Sequence, residues 1–257
     1  MSRTLLPRDD FAAFLTQDYD WIVGLDEAGA GCLAGPLHVG AFALPRNEFY
    51  QNLVELPEPV RDSKKIQEAQ REKSFNFIQS LGEGAQARIQ SVSVSYVEEK
   101  NIYWARMETF LDLVIELDDQ FKGRALFVVD GNRLHVSPKR LSNKNFAQRW
   151  KDLEAKVYAY PKADGTYFCV AAASLLAKVS RDRVMTQLSE AFPQYNWKKN
   201  KGYSTPDHMA LVSEYGLSPH HRPSFCKNII FKEKRLPGLG HSLQGSEGES
   251  RAREATT

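Results

Sequence analysis

Cysteine is scarce in this chain. Its 257 residues hold three, Cys32, Cys169 and Cys226, far apart and without a C-x-x-C pair. That pattern excludes a disulfide-stapled secreted scaffold and a cysteine-built structural zinc site. No apolar run approaches the ~20 residues that span a bilayer. The stretch from Met1 to Asp10 carries acids where a signal peptide needs an apolar core. A charge excess is missing too: Lys+Arg 34 against Asp+Glu 32 leaves a net charge of +2. The whole chain is therefore neither a polybasic coat for nucleic acid nor an acidic tail. The expectation is a reduced, cytoplasmic protein with no membrane attachment. Apolar residues at 42% and charged residues at 26% then exclude a fibrous or mostly disordered chain.

The hydrophobic pattern alternates between two periods. Short apolar runs at Trp21–Leu25, Leu37–Leu44, Ala87–Val97, Ala125–Val129 and Ala155–Tyr160 read as strands. Helix-period stretches cover Glu68–Ser80, Asn101–Leu117, Phe168–Leu188 and Thr205–Tyr215, the last with Thr205 as N-cap and Pro206 at its first turn. Strands alternating with helices predict an α/β fold with a mixed central sheet flanked by helices. Residues 1–20 read as a lead-in and 21–193 as the core. Residues 194–236 read as a basic, helical C-terminal part. Residues 237–257 form a Gly/Ser/Glu-rich tail expected to be disordered. Between Tyr195 and Arg235 eight Lys/Arg face three Asp/Glu, interleaved with Tyr195, Trp197, Tyr203, Tyr215, Phe225 and Phe231. Such a stretch suits a nucleic-acid backbone, and equally a solvated helical face.

The acids carry the sharpest local signal. Asp26-Glu27 ends an apolar strand and is followed by Gly29-Ala30-Gly31. Adjacent strand residues point to opposite faces, so the pair can share a site only at a strand edge or where the chain bends, and the glycines supply that bend. Two carboxylates at a buried strand end repel each other, and a bound Mg²⁺ is the usual remedy. Solvated loop acids are the ordinary meaning of such a pair, but less so directly after Trp21-Ile-Val-Gly-Leu25. Gly29 to Ala34 also fits G-x-G-x-x-G/A, the dinucleotide fingerprint. That fingerprint needs a helix to open at the glycines, and here Gly35-Pro36 and a strand follow. Asp130 ends the fourth run. Asp164 precedes the long helix, where it could also complement the helix dipole. Four carboxylates around two cations would suit in-line phosphodiester hydrolysis, provided the fold unites them.

Eight stretches in order give the chain a resemblance to the ribonuclease HII (type 2 ribonuclease H) family. They are Gly24-Leu-Asp-Glu-Ala-Gly29, Leu33-Ala-Gly-Pro36, Asp62-Ser-Lys-Lys65, Asn101-Ile102 with Ala105 and Met107, and Val129-Asp-Gly-Asn132. Then come Lys162-Ala-Asp164 with Ala171 to Ser174 and Ala177 to Asp182, Lys201-Gly-Tyr-Ser-Thr205 with His208, and Ser218 to Phe225. The resemblance implies a ribonuclease H-like fold with a helical C-terminal extension. It implies a Mg²⁺- or Mn²⁺-dependent endonuclease that cuts the RNA strand of RNA–DNA hybrids and incises at ribonucleotides embedded in duplex DNA. The products would carry 3′-hydroxyl and 5′-phosphate ends, and the enzyme would be a monomer serving DNA repair.

By the same resemblance Asp26, Glu27, Asp130 and Asp164 would be catalytic and metal-binding. Gly29, Ala30, Gly31, Lys64, Ser174, Lys178 and Tyr203 would bind substrate, with Tyr203 stacking on the sugar at the RNA–DNA junction. Asp182 reads as the structural partner of a basic residue, and His220-His221 as surface or substrate-side residues. One departure stands out. The family's loop reads Gly-Arg-Gly, and Ala30 removes the guanidinium that would hold a neighbouring phosphate, a contact worth about 1.5–3 kcal/mol. The alternative reading is therefore a hybrid-binding protein with impaired or altered cleavage.

Overall fold

The computed structural model describes residues 19–46, 67–81, 84–131, 144–153 and 156–233. The lead-in before residue 19, Lys64 and its loop, Asn132 and the tail lie outside these. Five strands form one sheet in the order β3-β2-β1-β4-β5. They are β1 (Trp21–Ala28), β2 (Leu37–Pro45), β3 (Gln86–Val92), β4 (Ala125–Asp130) and β5 (Val157–Tyr160). Strands β1 to β3 pair antiparallel, while β4 and β5 run parallel to β1, so the sheet is mixed as the pattern predicts. The helices are α1 (Glu68–Ser80), α2 (Val94–Lys100), α3 (Ile102–Gln120), α4 (Lys144–Leu153), α5 (Phe168–Ala191), α6 (Trp197–Asn200), α7 (Pro206–Tyr215) and α8 (Pro223–Glu233). Among the described residues no helix is long and apolar enough to cross a membrane.

Side-chain parity decides what each face of the sheet meets. Ile22 on β1 and Leu126 and Val128 on β4 point to one face, where they pack with Phe168, Ala172 and Leu176 of α5 and Phe75 of α1. Val23, Leu25, Phe127 and Val129 point to the other and pack with Phe110, Leu113 and Val114 of α3. The first half of α5 is apolar all round, as a helix buried on every side must be. It presses against the sheet at two glycines. A Cβ at Gly24 would lie 2.2 Å from the Cys169 carbonyl carbon, and one at Gly40 would lie 2.3 Å from Ala173 O. Only hydrogen at both positions lets the helix backbone come this close.

Two expectations need correction. The third strand ends at Val92 rather than running to Val97. Ser93 caps a new helix there, its side chain accepting from Tyr96 N, and the β-branched residues beyond it sit in α2. Strand β1 does not stop at Leu25. It continues to Ala28, opposite His38 of β2, so Asp26 and Glu27 lie inside a strand and not in a bend after it. The Thr205 cap is present as expected, with Oγ1 accepting from His208 N at 3.2 Å.

Candidate active site

Because Asp26 and Glu27 lie within the strand, they face opposite sides of the sheet. Asp26 falls on the α5 face and Glu27 on the α3 face. The last paired residues of β1 and β4 are Leu25 and Val129, so Asp26 and Asp130 come next, side by side on the same face. Asp26 is 3% exposed. Its Oδ1 accepts from Glu27 N at 2.7 Å, and the Ser174 hydroxyl of α5 also bonds the carboxyl. Its Oδ2 is buried with no hydrogen-bond partner among the described residues. Burial, then the neighbouring charges of Glu27 and Asp130, push the Asp26 carboxyl up to about 8. A buried carboxylate oxygen without a donor, beside further carboxylates, fits a hard divalent cation better than any side chain present.

The other acids are handled differently. Asp130 Oδ1 accepts from Ala163 N at 2.7 Å, which ties the end of β4 to the one-turn helix Ala163–Gly165 that carries Asp164. Glu27 Oε1 accepts from Arg106 Nη1 of α3 at 2.9 Å. Arg106 bears on the site without any motif to mark it. The structure thus joins Asp26 to Asp130, sets Asp164 on the adjoining turn and turns Glu27 toward α3. Among the described residues, no three His, Cys, Asp or Glu side chains gather as closely as a ready-made metal cage requires. Asp26 and Asp130, with Glu27 and Asp164 beside them, are the groups that could hold divalent cations.

A cavity of about 690 Å³ opens at Glu27, the member of these four that lines it. Glu27, Gly29 and Ser174 line one side, and Arg71, Lys178, Lys198, Lys199, Lys201 and Tyr203 line the other. Lys178 pairs with Asp182 at 2.7 Å, the structural partnership expected of that acid. Lys201 Nζ bonds Glu68 and Thr186. Lys198 and Lys199 on α6 have no carboxylate partner among the described residues and give this wall its net positive charge. The Tyr203 ring is 39% exposed, with Lys178 Nζ 5.3 Å and Arg181 Cζ 5.5 Å from its centroid. Ser174, though buried, both lines this cavity and hydrogen-bonds Asp26.

The loop after β1 is built around two buried arginines. Gly29 has φ +92, and a Cβ there would lie 2.1 Å from Arg181 Nε, so glycine is required twice over. Arg181 donates to the carbonyls of Ala34, Pro36 and Lys201. Arg222 donates to those of Gly29, Ala30 and Gly35. Both side chains are fully buried. Ala30 itself packs against the α3-side core. Both arginines fall within stretches that carry the family resemblance, Ala177 to Asp182 and Ser218 to Phe225, whose residue pattern does not mark them as buried. Of His220 and His221, expected on the surface or the substrate side, His220 is half-buried, but His221 is 1% exposed and not a surface residue; Tyr195 packs on it edge-on with ring centroids 4.6 Å apart.

Carboxylates at the ends of the two central strands of this mixed sheet, beside a cation-lined cavity, define a nuclease with the ribonuclease H-like fold. The family model for ribonuclease HII matches residues 23–228. The chain belongs to the ribonuclease HII family and is a ribonuclease H, an endoribonuclease acting on RNA–DNA hybrids. It is 35% identical to ribonuclease HII of Thermosynechococcus vestitus over 227 residues, covering 87% of this chain and 92% of that one. To the enzyme of Flavobacterium psychrophilum it is 35% identical over 218 residues, covering 82% and 93%. Among solved structures it resembles the ribonuclease HII of Archaeoglobus fulgidus, seen there in complex with PCNA. That match has TM-score 0.62 and 26% identity, and covers 85% of this chain and 98% of the other.

Proposed function

We propose that this ribonuclease H depends on a divalent cation, Mg²⁺ or Mn²⁺, and uses Asp26, Glu27, Asp130 and Asp164 to hold it. The observation that carries the reading is Asp26 Oδ2, buried without a donor on the same face as Asp130. The chemistry supplied by a bound cation pair is activation of water and stabilisation of the leaving oxygen, giving 3′-hydroxyl and 5′-phosphate ends. The protein's own groups do the rest. Ser174 orients Asp26, and Asp130 fixes the turn that carries Asp164. Arg71, Lys198 and Lys199 receive phosphates of the duplex, and the exposed Tyr203 ring stacks on a sugar. Lys64, by its motif, joins the substrate side. Gly29, Ala30 and Gly31 approach the nucleic acid through their backbone, the carbonyls of Gly29 and Ala30 turned inward onto Arg222. We read the protein as a cytoplasmic monomer.

The test uses labelled duplexes with Mg²⁺, Mn²⁺ or EDTA. Cleavage of an all-RNA strand in a hybrid is expected with either metal and is expected to vanish in EDTA and in Asp130→Asn. Cleavage that persists under either condition overturns the mechanism. Incision at a single ribonucleotide in DNA is expected to rise about tenfold in Ala30→Arg, while hybrid cleavage changes less, because only the first substrate depends on one phosphate clamp. Tight binding without turnover in both metals would instead mark a hybrid-binding protein.

A further inference from the structure

Behind the Tyr203 segment lies a buried chain of hydrogen bonds that the proposed chemistry does not use. Ser218 N donates to His221 Nδ1 at 3.0 Å. Trp197 Nε1 donates to His208 Nε2 at 3.0 Å. His208 Nδ1 lies 2.9 Å from Tyr203 O, and the two imidazoles meet Nε2 to Nε2 at 3.2 Å. His208, His221 and Trp197 are all buried to within 1% of complete.

The end groups fix every proton. A backbone N–H and an indole N–H can only donate, and a carbonyl can only accept. His221 therefore accepts at Nδ1 and carries its hydrogen on Nε2. His208 accepts at Nε2, from Trp197 and His221 together, and carries its hydrogen on Nδ1. Both rings are neutral, and each has the opposite tautomer from the other. Burial pulls both imidazoles below their ordinary range, His221 to about 4, which keeps them neutral at physiological pH. The chain of bonds ends on one atom, the carbonyl oxygen of Tyr203, which also accepts from Thr205 N at 2.8 Å. Both of its lone pairs are thus engaged from the protein interior.

We infer that His208 is a positioning residue for Tyr203: its Nδ1–H, held in that tautomer by Trp197 and His221, pins the Tyr203 carbonyl and so sets the ring at the mouth of the cavity. This rests on the proposal that Tyr203 meets the substrate. A neutral, tautomer-locked imidazole gives a directional anchor where a charged side chain would carry a desolvation cost.

Steady-state cleavage of a labelled RNA–DNA hybrid tests it in a double-mutant cycle with Tyr203→Ala. His208→Ala is expected to raise KM about five- to tenfold with kcat nearly unchanged, the size of one lost buried hydrogen bond. His208→Asn, whose amide nitrogen can replace Nδ1–H, is expected to recover most of that loss. In the Tyr203→Ala background, His208→Ala is expected to add nothing further. If the two losses multiply, or if asparagine does not rescue, the positioning role is overturned. If Tyr203→Ala alone leaves KM unchanged, the substrate role of Tyr203 fails instead, which is a different result. Should His208→Ala lose its cooperative unfolding transition, Trp197→Phe takes its place. It removes the indole donor while keeping an aromatic ring in the cluster, and is expected to raise KM about two- to threefold, again only when Tyr203 is present.

Discussion

Asp26 and Glu27 are neighbours in sequence, yet the two faces of the sheet treat them differently. On the α5 face the helix backbone lies against Gly24 and Gly40, Asp26 is buried, and its carboxyl's hydrogen bonds among the described residues are to Ser174 and one backbone N–H. On the α3 face Glu27 keeps partial contact with solvent, its side chain 14% exposed, and it has a guanidinium partner in Arg106. A close-packed face keeps its carboxyl protonated in the absence of a cation, while a looser one pairs it with a side chain. The difference teaches that the acid pair is two separate devices. The Asp26 carboxyl is desolvated and crowded by acids, and the Glu27 carboxylate has a guanidinium beside it, which under the proposed function it shares with the cation.

Three experiments press on that contrast. The largest effect belongs to Asp26→Asn, which is expected to lower hybrid cleavage at least about 10³-fold. Its stability should move the other way. Asp26 holds its proton far above the ordinary carboxylate range, so the folded protein binds more protons than the unfolded chain between about pH 4 and 8. In EDTA wild-type stability is therefore lost as pH rises through that window, by roughly 3–5 kcal/mol from this group. The Tm advantage of Asp26→Asn over wild type should be near zero at pH 4 and grow to about 10 °C at pH 8. Buried His38, pushed down to about 4, gives both proteins the opposite trend, so the difference between them isolates Asp26. An advantage that does not change with pH would break the contrast.

The next effect is Gly40→Ala. Its new methyl would meet Ala173 O at 2.3 Å, so α5 must lift. A loss of about 3 kcal/mol in calorimetry is expected, with cleavage reduced because Ser174 moves with the helix. An unchanged Tm would mean that close packing does not isolate Asp26. The smallest effect is Arg106→Met, expected to cost about 1 kcal/mol in urea unfolding and to leave the hybrid KM within about threefold. If this variant loses as much activity as Asp26→Asn, the two faces are not distinct.

The strands and long helices were legible because their apolar periods are strong, and helix α1 falls on the predicted span of Glu68–Ser80. Asp26, Glu27, Asp130 and Asp164 were legible as strand-end and helix-start acids. Their mutual placement was not, because face parity depends on where β1 ends, and no residue between Leu25 and Gly29 announces that the strand continues. Helix α2 was hidden because Ser93 acts through a local side-chain bond, while Val94 and Val97 look like strand residues. The burial of Arg181 and Arg222 was hidden for another reason. A buried arginine satisfied by carbonyl groups has no partner acid to mark it in the sequence.

Those carbonyl-bound arginines also impose a timetable. The loop at Gly29 is completed by Arg222, 193 residues later in the chain. Synthesis at about 5–20 residues per second separates the two by roughly 10–40 s. Throughout that interval the nascent chain already carries Asp26 and Glu27, and later Asp130 and Asp164, but not the finished loop beside them. Under the proposed function, the acids that would hold the cation are therefore made early, and Arg222, which ties the loop beside them, is made late.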